Sequence, residues 1–149
     1  MAYRFRLETL LTYRRNLEEQ AQLKLASDLQ VLLGQQGRLA DLQVSRQLLG
    51  EEFEEQKQKR LSGPFFSFYM DAIRHKEEAI EAQQAAIAVQ QQVVEKSRLE
   101  LAERVKSRKI IEKAREKDYR KFQHETLRKE QIESDEQAIL RAGRKDLLL

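Results

Sequence analysis

The chain has 149 residues, of which 36% are charged, 7% are aromatic and none is cysteine or tryptophan. This composition, with a single proline, is typical of long coiled-coil helices, which bury a narrow seam and enclose no substrate pocket of ordinary size. Without cysteine, no disulfide, iron–sulfur cluster or thiolate-bound zinc can form. The sequence has no signal-peptide core and no run of about 18 apolar residues, so we expect a soluble, cytoplasmic protein.

The first predicted element is a helix over about residues 4–60. Its apolar residues are spaced alternately by four and three, which is the pattern of a seam that faces a partner helix. Arg14 interrupts this pattern, and the slip between Ala21 and Leu32, through Leu25 and Leu29, predicts a stutter that locally unwinds the supercoil. The seam residues predicted near the start of this helix are Leu7, Leu10 and Leu17.

Residues 61–64, with the sequence Leu-Ser-Gly-Pro, predict the turn. Glycine followed by proline breaks helical backbone preference, and Pro64 suits the first position of a new helix. The alternative is a kink in one continuous helix.

A second, longer helix is predicted over about residues 65–142, followed by a tail at 143–149. Five residues at strict intervals of seven predict a left-handed supercoil. Polar residues such as Gln84, Gln91 and Arg98 are expected at the other seam positions. The apolar seam residues are Phe66, Ile73, Ile80, Ile87, Val94 and Leu101, with Tyr119 and Phe122 further along.

Together these elements predict an all-α fold: a long antiparallel two-helix coiled-coil hairpin forming one domain over residues 1–149. If the chain folds back near residue 63, facing positions sum to about 126. Tyr3 and Phe5 should then lie near Phe122, and Leu7 near Tyr119.

The sequence predicts no catalytic, cofactor-binding or metal-binding residues, and hence no enzyme. It contains no phosphate-binding loop and no recognisable hydroxyl–histidine–carboxylate set. His75 near Glu78 could form half of a metal site, but two solvated side chains explain the pair more simply. The cluster from Phe65 to Tyr69 either closes the end of the hairpin, with Phe66 and Tyr69 inward, or contacts a partner through Phe65 or Phe68.

Positive charge is concentrated near the chain termini. Residues 104–129 carry eleven cations and four anions, a net charge of +7. Four arginines near the N-terminus, opposed by Glu8, lie at the same end of the predicted hairpin. The stretch is either a solvated helix face, a surface that docks on an acidic protein, or a site for nucleic acid, and the interleaved acids disfavour the last.

Three segments of the sequence carry a family resemblance. The opening Phe-Arg-Leu-Glu-Thr-Leu-Leu at 5–11, followed by Arg14, Arg15 and Glu18, is similar to the start of the bacterial flagellar export protein family FliJ. The segments 69–80 and 130–138 are similar to the start of its second helix and to its acidic C-terminal signature. The resemblance spans nearly the whole chain.

The resemblance implies a stalk protein of the type III export apparatus, which is non-catalytic and lies in the cytoplasm at the inner face of the cell membrane. Family members bind the hexameric export ATPase, promote its assembly and hydrolysis, and contact the membrane export gate; some bind export chaperones. Membrane association is expected through partners only, and no nucleic acid is expected. The alternatives are a general coiled-coil scaffold and the equivalent stalk protein of a virulence-type injectisome.

The resemblance also implies two contact sites. The ATPase ring would meet the basic end of the hairpin, and the export gate would meet an exposed face early in the second helix. The residues expected at the ring are Arg4, Arg6, Arg14, Arg15, Arg115, Arg120 and Lys121. Those expected at the gate are Ala72, Lys76, Ala79 and Gln83.

Overall fold

The computed structural model describes residues 2–148 and the side chains of residues 2–147. Two helices, α1 (Glu8–Gln58) and α2 (Gly63–Leu148), pack against each other as an antiparallel coiled-coil hairpin. They contain 51 and 86 residues. The predicted all-α fold, with one turn and a longer second helix, is therefore confirmed.

The first helix begins later than the predicted residue 4. The backbone N–H of Glu8 donates to the carbonyl oxygen of Phe5 at 3.2 Å, which closes a turn before the helix. Residues 2–5 are not helical. Tyr3 and Arg4 therefore lie on a short N-terminal segment that leads into α1.

The second helix extends beyond the predicted end at residue 142. Residues 143–148, which were expected to form a tail, are helical, and Leu149 lies outside the described residues. A glycine inside a helix costs only about 1 kcal/mol relative to alanine, so Gly143 does not end the helix.

The turn occupies residues 59–62, slightly earlier than predicted. The N–H of Lys59 donates to the carbonyl oxygen of Gln56 at 3.0 Å, which tightens the last turn of α1. Arg60 then adopts a left-handed conformation with φ of 61° and ends the helix. Pro64 lies in the first turn of α2, where its missing N–H leaves no hydrogen bond unmade.

Contacts within the chain divide it into two compact units. We call residues 1–18 with 104–149 the basic unit, and residues 19–103 the turn unit. In the described part of each unit, a stretch of α1 runs antiparallel to a stretch of α2.

In the turn unit, the seam of α1 contains no stutter. Half-buried or buried residues follow one another at intervals of four and three from Ala21 to Gln56. Asp28 occupies the seam position that Leu29 was expected to hold, and Leu29 lies outward. The slip was predicted because only apolar residues were assigned to the seam, whereas the seam residue at position 28 is polar.

The seam of α2 in the turn unit combines an apolar and a polar line. Ile87 and Val94 are buried, and Ile73, Ile80 and Leu101 are half-buried. The second line lies three residues after each of these, not four, so the seam residues are Lys76, Gln83, Gln90 and Ser97. The residues expected there, Gln84, Gln91 and Arg98, are exposed.

Candidate docking surface

The basic unit holds the positive charge of the molecule. Its sequence contains 18 Lys and Arg residues and 11 Asp and Glu residues, a net charge of +7, while the turn unit has a net charge of −4. A field of one sign attracts oppositely charged surfaces and accelerates their association. The basic unit is therefore the candidate docking surface, and the arrangement of its cations decides which of them a partner can reach.

Its apolar seam is centred on Leu11, whose side chain is fully buried, and on Ile111. The predicted seam residues Leu7, Leu10 and Leu17 are half-buried beside Leu11. Sequence analysis missed Leu11, although a spacing of four from Leu7 would have identified it. Burial on this scale fixes α1 against α2 and gives the surface charges defined positions.

An aromatic cluster fastens the N-terminal segment to α2. The ring of Tyr3 lies 5.0 Å from that of Tyr119 and 5.2 Å from that of Phe122, measured between centroids. The Tyr3 hydroxyl donates to Asp118 Oδ2 at 2.8 Å. The pKa of the Tyr3 hydroxyl is raised, mainly by burial and secondly by its hydrogen bond to this carboxylate. The predicted proximity of Tyr3 to Phe122 is confirmed, and the segment bearing Arg4 is held on α2.

Arg108 is the centre of an ionic network across the seam. It donates to Glu18 on α1 and, at 2.7 Å, to Glu112 on its own helix. The hydrogen bond to Glu18 is the main cause of the raised pKa of Arg108, and Glu112 adds to it. The Arg108 side chain is only 22% exposed, so its charge serves internal pairing more than external binding.

Three of the seven arginine and lysine residues predicted at the ATPase ring also bind within the unit. Arg14 Nη1 donates to the carbonyl oxygen of Ser107 at 2.9 Å. Arg15 pairs with Glu112, and Arg115 pairs with Glu8, each at 3.4 Å. A partner that used these three cations would have to compete with existing contacts.

The other four predicted residues are exposed, and the structure gives them no ion pair within residues 2–148. They lie on the N-terminal segment and on α2 close to the aromatic cluster. Their charges are available to an acidic partner without loss of an internal contact. These four residues are Arg4, Arg6, Arg120 and Lys121.

The four residues predicted at the export gate lie in the turn unit. None is fully exposed: Ala72, Lys76, Ala79 and Gln83 are all half-buried. Gln83 Nε2 donates to the carbonyl oxygen of Gln35 at 3.0 Å, so its amide is engaged in the seam. The two alanines flank the seam and keep part of their surface accessible.

The described residues offer neither a metal site nor a membrane-spanning helix. No group of three or more His, Asp or Glu residues within residues 2–147 is arranged to hold a metal ion. Among the helical residues that the structure describes, no stretch is long and apolar enough to cross a membrane.

Comparison with known proteins identifies the family. The sequence profile of the family described as flagellar FliJ protein matches residues 3–147. The chain belongs to the flagellar FliJ protein family. Membership confirms the resemblance seen in the sequence and associates the chain with flagellar assembly and type III protein export.

One solved structure has the same fold as this FliJ-family chain. CT670 from Chlamydia trachomatis, proposed to be a homolog of YscO, superimposes with a TM-score of 0.67 at 18% sequence identity. The match covers 93% of this chain and 94% of CT670. No curated protein sequence matches this chain significantly.

Proposed function

We propose that this chain is the non-catalytic stalk and coupling component of the flagellar type III export apparatus. It binds the hexameric export ATPase, promotes assembly of the ring and ATP hydrolysis, and connects the ring to the membrane export gate. It acts in the cytoplasm at the inner face of the cell membrane. The family match over residues 3–147 carries the proposal, and the unpaired cations of the basic unit support it.

A stalk with one asymmetric set of charges cannot contact six identical subunits equally. Subunits that face the cations Arg4, Arg6, Arg120 and Lys121 gain an interaction that the others lack. A ligand shifts a conformational equilibrium only through such differential affinity. Binding would therefore bias the six subunits toward different conformations and stimulate hydrolysis by the ring.

The test measures ATP hydrolysis and the hexamer fraction of the export ATPase with and without this protein. Wild-type protein should increase both. Reversing the four unpaired cations to Glu should abolish the increase while leaving the helical content intact. A matched control reverses four exposed cations of the turn unit that have no ion pair within residues 2–148: Arg38, Lys59, Lys96 and Arg98.

The two results separate the role of the basic unit from the effect of overall charge. Loss of stimulation in the first variant alone supports the proposed ring contact. Equal behaviour of the two variants contradicts it. If wild-type protein has no effect on the ATPase, the general scaffold is the better explanation.

The gate contact is proposed on the accessible part of Ala72, Lys76 and Ala79, with Gln83 positioning the helix through its bond to Gln35. Ala79→Asp should weaken binding to the cytoplasmic part of the gate protein. Ala88→Asp is the control, because Ala88 is exposed and lies about two and a half turns from Ala79, on another side of the same helix. Equal loss of binding in the two variants would refute the assignment.

Export chaperones are proposed as further partners, and nucleic acid is not.

A second candidate function is the equivalent stalk protein of a virulence-type injectisome. The shared fold with CT670 favours this candidate, because CT670 is proposed to be a YscO homolog. The family match is to the flagellar group, which makes the flagellar assignment the stronger one. Stimulation of an injectisome ATPase in preference to the flagellar ATPase would reverse that order.

A further inference from the structure

The turn unit exposes a group of large apolar side chains beside the turn. Phe65 and Phe68 are 63% and 65% exposed, and Phe66 and Met70 are also exposed. Phe65 and Phe68 are three residues apart, so they lie on the same face of α2. Exposed aromatic side chains clustered in this way indicate a binding surface more often than isolated ones do.

Packing behind the turn leaves Phe65 and Phe68 facing outward. Tyr69 stacks on the buried ring of Phe53 at 5.3 Å between centroids, and its hydroxyl donates to Glu52 at 3.1 Å. Phe66 also contacts Phe53, at 5.4 Å. Because Tyr69 and Phe66 fill the space over Phe53, Phe68 has no place in the seam.

The charge within the turn segment, residues 56–70, is of one sign, although acidic residues flank it at 51–55 and at Asp71. Residues 56–70 include Lys57, Lys59 and Arg60 and contain no Asp or Glu. Lys57 lies 4.1 Å from the centroid of the Phe53 ring and pairs with Glu54 at 3.1 Å. Lys59 and Arg60 are exposed and have no ion pair among the described residues.

A crevice beside the turn is lined both by apolar residues and by the positively charged Arg60. It has a volume of about 420 Å³ and contains no carboxylate. Residues with an amide, a guanidinium and hydroxyl groups line it together with apolar residues. The lining residues are Gln56, Arg60, Leu61, Ser62, Phe65 and Tyr69.

We infer that the turn binds directly to anionic phospholipid membranes. In this arrangement Lys59 and Arg60 contact headgroup phosphates, and Phe65 and Phe68 enter the boundary between headgroups and acyl chains. Aromatic rings favour that boundary, and cations near it are attracted to anionic lipids. This contact adds to membrane association through partners and does not depend on the proposed function.

A single tryptophan provides the test, because the natural chain contains none. Phe68→Trp places a fluorescent ring at the turn, and Leu99→Trp is a matched control, since Leu99 is 61% exposed elsewhere in the same unit. Each full-length variant is mixed with vesicles of phosphatidylglycerol and phosphatidylcholine, or of phosphatidylcholine alone. The readout is the fluorescence emission of the tryptophan. Sedimentation of the protein with vesicles would not identify the contact, because the basic unit also attracts anionic vesicles.

We expect the emission of Phe68→Trp to move to shorter wavelength with anionic vesicles, and brominated lipids to quench it. The Leu99→Trp control should show neither effect. Adding Lys59→Gln and Arg60→Gln should weaken binding by on the order of 25-fold, about fivefold for each cation. The charge control, Lys96→Gln with Arg98→Gln, should leave the signal unchanged.

Three outcomes would overturn the inference. The first is no change in Phe68→Trp emission, which would leave a protein as the partner of the exposed rings. The second is an equal response to neutral vesicles, which would remove the role of Lys59 and Arg60. The third is that inorganic phosphate completely abolishes the emission shift of Phe68→Trp. That result would indicate a binding site for a free anion.

Discussion

Ser97 joins the two helices of the turn unit through a hydroxyl group that is almost inaccessible, since the residue is 2% exposed. The hydroxyl donates to Asp28 Oδ2 on α1 and accepts from Lys24 Nζ at 3.3 Å. Gln90 Nε2 donates to the Asp28 backbone carbonyl at 3.0 Å. These directional bonds fix the pairing of the helices where the seam has little apolar surface.

Ser97→Ala should therefore reduce the free energy of unfolding by about 1 to 2 kcal/mol, because it removes a hydrogen bond to the half-buried Asp28 carboxylate, which then keeps only Lys24 as a side-chain partner. Urea denaturation followed by circular dichroism measures the change. Ser27→Ala is the control, because Ser27 is exposed and no bond of its side chain is seen. Equal stability of the two variants would show that the hydroxyl contributes nothing.

The carboxylate of Asp28 makes the same contact sensitive to acid. Its pKa is lowered, first by the hydrogen bond from Ser97 and then by Lys24. A lowered folded-state pKa stabilises the protein above the unfolded value of about 3.9, and this contribution is lost as the pH falls through the folded pKa.

Asp28→Asn should thus be less stable than the wild type at neutral pH, and the difference should shrink below about pH 3.9. At low pH the wild-type carboxyl is also uncharged, so the two side chains become similar. Urea denaturation at several pH values gives the difference directly. A difference that does not vary with pH would contradict an ionised Asp28 in the folded state.

At the scale of the helix, the glycines of α1 differ in what surrounds them. A Cβ atom added at Gly34 would meet nothing within 4 Å. One added at Gly50 would lie 2.8 Å from Arg46 Nη1, which must then move. Arg46 crosses the seam at this point and pairs with Glu77 at 2.9 Å.

Gly34→Ala should raise the free energy of unfolding by about 1 kcal/mol, because alanine is the better helix former and restricts the unfolded chain. Gly50→Ala should gain less, since displacing Arg46 weakens an exposed ion pair. In an Arg46→Ala background, the gain from Gly50→Ala should approach that at Gly34. Thermal and urea denaturation check this, and an equal gain in the wild-type background would show that Arg46 moves without cost.

Sequence periodicity predicted the helices and the turn because glycine with proline and a strict heptad are strong local signals. It did not predict the full seam, because one of the two seam lines of α2 in the turn unit is polar. Gln83 and Gln90 lie inward and donate to backbone carbonyls of α1, whereas Gln84 and Gln91 are exposed. Residue type does not distinguish these glutamines, and only the spacing of three from Ile80 and Ile87 does.

At the scale of the whole molecule, the sequence located the positive charge but could not show which cations are occupied. Arg14, Arg15 and Arg115 face partners that are about 90 to 110 residues away along the chain, such as Ser107 for Arg14. Those pairings depend on the register of the two helices. Residues 104–129 carry a net charge of +7, and four of the seven cations predicted at the ring have no ion pair among the described residues.

These four unpaired cations predict how the proposed association with the export ATPase should depend on salt. Neutralising the four unpaired cations to Gln should lower the association rate constant by about tenfold at low ionic strength, because exposed charges steer encounter. The dissociation rate should change little. The difference in association rate between variant and wild type should shrink at higher salt, because salt at physiological ionic strength screens charges more than about 8 Å apart.

Arg14→Gln should behave differently, because it breaks the bond to Ser107 and loosens the seam beneath the surface. It should lower stability more than the association rate. Surface plasmon resonance at several salt concentrations, with urea denaturation of each variant, separates the two effects. The contrary result is that Arg14→Gln slows association as much as the variant with all four cations changed to Gln, without loss of stability. In that case, electrostatic steering of the encounter would not be confined to the unpaired cations.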